Sequence, residues 1–332
     1  MSNPLPRIAI ATGDPAGIGP EIALKAAQDG TVTAICRPLV VGDPAVLARQ
    51  AQAAGLPSQV HVVTSVAEAR WPGPVNVLAA PMPPVEAFAF GASGAAYGLG
   101  ALASARRAIA AALGGEVEAV VAAPQNETSI AAAGIAFDGY PSFVARETGT
   151  DPDDVFLMLC FGDKRIAHAT LHVGVAQAVR LITRERVGRA IRATHAALQR
   201  LGVAAPAIVV SGLNPHAGEG GLFGQEEIEI IGPAVADAAR AGIDVTGPFG
   251  ADTMFNRTCD AFLVMLHDQG HITAKLLAPN QSAALTIGTP ILFSSVAHGS
   301  AYDIAGKGVA SPAAMIEAIR RLAGASAQAK AA

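Results

Sequence analysis

Three histidines occupy comparable places in this chain of 332 residues. His172 follows the apolar run 167–171, His216 lies in GLNPHAGEGG after the run ending at Ser211, and His267 opens HDQG after the run ending at Leu266. Each run has the composition of a buried strand, so the imidazoles fall at strand carboxyl ends, where open α/β sheets gather ligands. Imidazole is the commonest protein metal ligand, and three of them hold a divalent ion while leaving positions open for a substrate. One histidine in such a place is more often a hydrogen-bonded structural residue; recurrence at three strand ends argues for a site. His61, His168, His195 and His271 have weaker claims, His168 because it falls within a strand run and His195 because it sits in a helix pattern. Asp252 in GADTMF, Asp268 beside His267, and Glu219 could ligate metal or orient ligands, or serve as ordinary caps and turns. Lys275 stands in the apolar context TAKLL, where a partly desolvated ammonium near a metal exchanges protons near neutral pH; the alternative is a snorkelling side chain.

Two glycine-rich segments complete the inventory. TGDPAGIGPEI, residues 12–22, follows a strand and opens a helix, so its glycines permit a tight turn and close approach to a ligand, and the helix amino terminus favours an anion. Its spacing is not G-x-G-x-x-G, and a strand-to-helix turn without a ligand is the alternative. HGSAYDIAGKGVASP, residues 298–312, has the small residues that let a planar ring lie against backbone, with Asp303 available for a polar contact.

The elements that must position these groups follow an α/β pattern. Short apolar runs at 7–11, 34–41, 117–122, 208–211 and 261–266 alternate with helix patterns at 21–28, 98–113, 186–201 and 226–241, as in parallel sheets buried on both faces. Residues 72–94 are rich in Pro and Gly and read as a long connection. The length exceeds what one core usually organises, which predicts two lobes or one large α/β unit. A hydrophobic fraction of 51% with 15% charged residues excludes a disordered chain. The formal charge of −4 leaves no excess of positive charge for a phosphate backbone, so nucleic acid is not an expected partner. Cys36, Cys160 and Cys259 are odd in number and widely spaced, against a disulfide framework or a thiolate zinc site. With no charged-then-apolar leader and no long apolar stretch, the expected location is the cytoplasm, away from membranes.

On these segments the chain resembles a known family. HGSAYDIAGKGVASP is similar to the adenosine-binding loop of isocitrate and isopropylmalate dehydrogenases. GDPAGIGPE, GLNPHAGEGG, the ADT of GADTMF, and HDQG followed by Lys275 stand in the order of the 4-hydroxythreonine-4-phosphate dehydrogenase family. The resemblance implies a two-lobed fold like that of isocitrate and isopropylmalate dehydrogenases, with mainly parallel sheets and a cleft between lobes. It implies a cofactor-side lobe over about 1–130 and 285–332, and a metal-binding and dimerisation lobe over 131–284. It further implies a homodimer with shared active sites, NAD or NADP as cofactor, and a divalent ion (Zn, Mg, Mn or Co) on His172 and His216 of one subunit and His267 of the other. Lys275, Asp252 and Asp268 take the catalytic places, and Gly13, Asp14, His298, Gly299, Ala301 and Asp303 the cofactor-binding ones.

The departures concern the substrate. Where the family has His-Thr for a phosphate, this chain has Tyr140-Pro141; where it has a substrate-binding Asn and Arg, this chain has Ala284 and Phe293; and Gln125-Asn126 replaces His-Lys. Loss of a bidentate anion clamp argues against a phosphorylated substrate. The altered pocket, with Asn126, Tyr140, Ser142, Lys275 and Phe293 toward the substrate, resembles the branch that oxidises the cis-dihydrodiol of terephthalate. The expected activity is therefore metal-dependent, NAD(P)-linked oxidative decarboxylation of a small β-hydroxy carboxylate, an aromatic dihydrodiol acid. The alternatives are the hydroxythreonine phosphate enzyme itself and a non-catalytic ligand sensor on the same fold, against which the retained histidines and Lys275 count.

Overall fold

The computed structural model of the chain describes residues 5–57, 59–278 and 282–329. Two compact units make it up, Met1–Thr148 with Pro290–Ala332, and Gly149–Thr289. The first boundary falls at 148/149, where the sequence placed it at 130/131, because the helix Tyr140–Thr148 buries Tyr140, Phe143 and Val144 in the core of the first unit. The second falls at 289/290 where 284/285 was read. No helix among the described residues is long and apolar enough to cross a membrane.

The described strands, in chain order, are β1 (Arg7–Ala11), β2 (Arg37–Gly42), β3 (Val60–Val63), β4 (Val75–Ala79), β5 (Ala119–Ala122), β6 (Phe156–Phe161), β7 (Lys164–His168), β8 (Ala207–Ser211), β9 (Asp244–Phe249), β10 (Ala261–Val264), β11 (Ala283–Ile287) and β12 (Phe293–Val296). In the first unit they lie in the order β3-β4-β2-β1-β5-β12, and the registered pairs are parallel. The apolar runs RIAIA and AVVA account for the centre: from Ile8 to Ala11 and through β5 every residue is buried. Such strands need helices on both faces, which the Ala-rich sequence supplies. Asp43 starts one of them, Pro44–Ala53, by accepting from Ala45 N at 2.8 Å and Val46 N at 3.1 Å.

In the second unit the order is β11-β6-β7-β10-β8-β9. β6 runs antiparallel to both β11 and β7, whereas β7, β10, β8 and β9 are parallel. The β6–β7 hairpin turns at Gly162, whose φ of +49° suits a two-residue connection. The sequence pattern anticipated neither this hairpin nor β3 and β4. β4 lies inside the stretch read as a connection, because its apolar run VNVLA is long enough to pair with β2 and β3 despite the flanking prolines. The helix expected over 226–241 divides into a π-helical turn, Glu227–Ile231, and the α-helix Gly232–Arg240, which has Pro at its start.

Candidate active site

The parallel order of β7, β10 and β8 brings the three histidine-bearing loops to one sheet edge. Val264 pairs with His168 and Leu263 with Val210, so the segments carrying His172, His267 and His216 leave neighbouring strands in the same direction. The helix His267–Leu277 starts directly after β10. Gln269 anchors that start, its Oε1 accepting from Met265 N and Leu266 N at 2.9 Å each and its Nε2 donating to Gly212 O at 3.1 Å, beside the His216 loop.

Four imidazoles form a row here. The ring centroid of His172 lies 5.6 Å from that of His267, His267 stacks on His271 at 3.8 Å, and His271 lies 4.7 Å from His168. His267 and His271 meet because residues four apart share a helix face. Asp268 Oδ1 lies 2.6 Å from His267 Nδ1, the carboxylate–imidazole pairing that fixes the tautomer of a ligating histidine. His168 is fully buried, with Nδ1 3.3 Å from Leu157 O and Nε2 without a partner among the described residues. Desolvation, reinforced by the neighbouring His271, pulls the His168 pKa down to about 3. Desolvation, then His267, lowers His271 to about 4. Both are neutral imidazoles at neutral pH. A Cβ at Gly270 would lie 2.3 Å from His168 Nε2, so this packing needs a residue without a side chain there. Sequence reasoning gave His168 and His271 little weight; the i, i+4 spacing of the two histidines in HDQGH was the available signal.

His216 stands apart from this row. It begins a run with positive φ from His216 to Gly220, including 52° at His216, 53° at Ala217 and 44° at Glu219. Each such non-glycine residue costs on the order of 1 kcal/mol, and strain of this kind clusters at functional sites. Buried Glu227 holds the loop, its Oε1 accepting from Leu213 N and Asn214 N at 2.7 Å each. His216 is exposed, with Nδ1 3.4 Å from Glu219 Oε2. Asp252 approaches the same loop: a Cβ at Gly250 would lie 2.8 Å from Asp252 Oδ1 and 3.7 Å from His216 Cα. Lys275 is exposed one turn beyond His271, near enough for its charge to oppose protonation of His271.

Among the described residues no group of three His, Cys, Asp or Glu side chains in a single chain is arranged to hold a metal ion. The donor chemistry nevertheless fits one in part. His172 and His267 lie side by side with Asp268 on the second, and His271 and His168 behind them are uncharged.

In the first unit the two glycine-rich segments meet. Gly13 adopts φ +65°, and a Cβ there would lie 2.3 Å from Pro124 O, so only glycine fits. A Cβ at Gly17 would lie 2.8 Å from that of Ser300, and Ile18 N donates to Ser300 O at 3.0 Å. Asp14 is wholly buried; it accepts from Ala16 N at 2.9 Å and from the Tyr302 hydroxyl. Desolvation raises its pKa, and the Tyr302 hydrogen bond opposes the rise. Its carboxylate joins the two loops. Gly299 and Asp303 are exposed, Ala301 takes φ +41°, and His298 is half-buried with Nδ1 3.2 Å from Gly299 O. Asp303 makes no hydrogen bond or ion pair among the described residues, which leaves its carboxylate open to a ligand. The far end of the segment is pinned by Glu21, fully buried, which accepts from Lys25 Nζ at 2.7 Å and Ala310 N at 2.9 Å, while Lys25 donates to Gly308 O and Ala310 O.

The residues read as facing the substrate divide. Tyr140 and Phe293 are buried, with ring centroids 5.1 Å apart, and join Phe137 and Phe143 in the core of the first unit. Aromatic packing takes both rings largely out of solvent. Tyr140 donates to Ala123 O and accepts from Gln125 Nε2, both at 2.8 Å, and burial pushes its pKa up. Asn126 Oδ1 caps the helix Glu127–Ala132 through Ser129 N at 2.7 Å. The Ser142 hydroxyl is engaged by Asp138 and by Gly139 O.

Comparison with known proteins gives this geometry its context. The family model for "Pyridoxal phosphate biosynthetic protein PdxA" matches residues 34–322. A Comamonas sp. protein named 1,2-dihydroxy-3,5-cyclohexadiene-1,4-dicarboxylate dehydrogenase is 42% identical over 323 residues, covering 95% of this chain and 96% of its own. The D-threonate 4-phosphate dehydrogenase of Cupriavidus necator is 40% identical over 327 residues, 97% of each chain. The crystal structure of a 4-hydroxythreonine-4-phosphate dehydrogenase from Burkholderia phymatum superposes with a TM-score of 0.86 at 39% identity, covering 97% of this chain and 99% of that one. With such matches spanning nearly its full length, the chain belongs to the PdxA family and is a dehydrogenase acting on a CH–OH group.

Proposed function

We propose that this dehydrogenase oxidises a cyclic cis-dihydrodiol carboxylate with NAD(P), and that loss of carbon dioxide follows. The observation that carries the reading is the Tyr140–Phe293 pair. Two packed aromatic rings, 5.1 Å apart, fill positions where the family's phosphate-binding His-Thr and Arg fall by register. Arg106, whose guanidinium lies over the Phe143 ring of this cluster, is already paired with Glu147 at 2.8 Å. A phosphate needs Arg, Lys or several donors, and a pocket built without them disfavours it by several kcal/mol. The dihydrodiol activity named for the Comamonas relative supports this reading; the threonate phosphate activity named for the Cupriavidus relative defines the competing one.

The chain's residues account for the chemistry. A divalent ion on His172, His216 and His267, shared between two subunits as the family resemblance implies, would lower the pKa of the substrate alcohol and engage its carboxylate. Asp268 holds His267 in one tautomer, and the neutral His271 and His168 behind it add no positive charge to repel a cation. The Gly13 turn and the 298–303 loop form the surface for the nicotinamide cofactor, with Asp303, which has no partner among the described residues, toward a ribose hydroxyl. Oxidation sends the carbinol hydride to the nicotinamide and the hydroxyl proton to a base. The resulting β-keto acid loses its carboxylate, and Lys275 exchanges the proton on the remaining enol system. In a cyclohexadiene diol that loss restores aromaticity, which makes the sequence strongly downhill.

The test is NAD(P) reduction with terephthalate cis-dihydrodiol and with 4-phosphohydroxythreonine, side by side. Preference for the ring acid in kcat/KM by roughly a thousandfold is expected, the scale on which sites reject a ligand whose charge finds no partner. Efficient use of the phosphate ester without turnover of the diol would return the chain to the other branch.

A further inference from the structure

The amino-terminal edge of the first unit's sheet carries a cavity of about 790 Å³ at which β2 and β4 begin: Arg37 and Val75, the first residues of those strands, both line it. The strands are parallel, so this edge is opposite to the one from which the Gly13 loop leaves β1. The volume is that of small-molecule sites, roughly 300–1,000 Å³. Its apolar walls are formed by Trp71, Leu5, Pro38, Pro57, Pro72 and Pro74.

Its polar side chains include Gln28, Thr33, Gln59 and Asn76, and Arg37 brings a positive charge. The Arg37 guanidinium lies over the Trp71 ring, 5.8 Å from the centroid, and has no ion pair or side-chain hydrogen bond among the described residues. Neighbouring Arg7, by contrast, is paired with Glu118 at 3.3 Å. Trp71 Nε1 already donates to Pro38 O at 3.3 Å, and the Asn76 amide is spent on Arg70 N and O at 2.9 Å each. Gln28, also in the wall, buries Nε2 without a partner among the described residues. Among the described residues no acidic side chain lines the cavity. A chamber with an indole and several prolines in its wall, whose one charge among the described lining residues is a guanidinium without an ion pair there, matches an anion with a flat apolar body.

We propose that this cavity is a second binding site, for a small aromatic carboxylate whose ring lies against Trp71 and whose carboxylate is gripped by Arg37. The site is independent of the dehydrogenase chemistry, since none of its residues belongs to the histidine row or the cofactor loops.

Trp71 is the chain's only tryptophan, so its emission reports occupancy directly. Titration of the full-length protein with benzoate should change that emission saturably. Benzamide, nearly isosteric but neutral, should bind at least about tenfold more weakly, the scale of a hydrogen bond to a charged group. Arg37→Met should lose benzoate affinity by a similar factor while keeping its melting temperature and dehydrogenase activity. Equal responses to benzoate and benzamide, no saturable response, or unchanged benzoate affinity in a folded Arg37→Met would each overturn the proposal. If that variant does not fold, the benzoate-to-benzamide ratio on the unmodified protein decides.

Discussion

Lys275, exposed on the His267 helix, is the side chain on which the proposed proton exchange depends. Lys275→Ala should fold normally and bind cofactor, yet turn over at least about a hundredfold more slowly, the usual contribution of one acid–base group. A steady-state kcat near that of the unmodified enzyme would remove Lys275 from the chemistry. Phe293 is 1% exposed against Tyr140. Phe293→Arg should lower stability by roughly 3 kcal/mol or more, because the guanidinium enters an apolar core without a carboxylate, and should weaken use of the ring acid. Denaturant melts and kcat/KM separate the two effects. His168 makes the fold acid-sensitive. Its native pKa is depressed to about 3 while the unfolded imidazole titrates near 6.5, so below that pH the unfolded chain takes up a proton the native site refuses. Stability is fully present above about 6.5 and falls progressively toward 3. His168→Asn, which keeps a polar group toward Leu157 O, should lose less of its melting temperature between pH 7 and 5 than the unmodified protein; parallel losses would count against this origin.

At the level of elements, the joint between the opening helix and the 308–310 stretch rests on one buried carboxylate. Glu21→Ala leaves Lys25 and Ala310 N without their partner, so a loss of about 3–5 kcal/mol is expected from thermal or chemical melts, together with a raised KM for the nicotinamide cofactor. Unchanged cofactor KM in a folded variant would show that the joint is dispensable for binding. Much of this layout was legible beforehand. β1, β5, β8 and β10 are apolar runs that only a doubly covered sheet can bury, and the places of His216 and His267 after the last two follow from that. What was not legible depends on distant pairing. β6 is fully buried, so its pattern does not reveal an antiparallel partner, and β4 hides between prolines. The aromatic exchange at Tyr140 and Phe293 could be read as chemistry, but their burial against each other arises across 153 residues of separation that no local pattern encodes. The imidazole row likewise needs the β7–β10 register to bring His168 under His271.

For the whole molecule, the distribution of ligands between subunits is the decisive question. In a two-fold dimer with shared sites, mixing inactive His172→Ala and His267→Ala proteins should regenerate about a quarter of the sites, since half the dimers are mixed and one site in each is intact. No recovered activity after verified subunit exchange would assign both imidazoles to one chain, as their 5.6 Å approach would then require. The two-part path of the chain through the first unit has a further consequence for how the protein is made. β12 pairs with β5, and Ala310 with Glu21, so the first unit needs residues beyond 290 to finish its sheet. The second unit is continuous from Gly149 to Thr289 and leaves the ribosome before those residues do. Synthesis therefore reverses the usual amino-to-carboxyl order of domain closure. The segment emitted first waits, with one side of β5 unpaired, and a nascent chain stalled before Phe293 would expose that edge to chaperones and proteases.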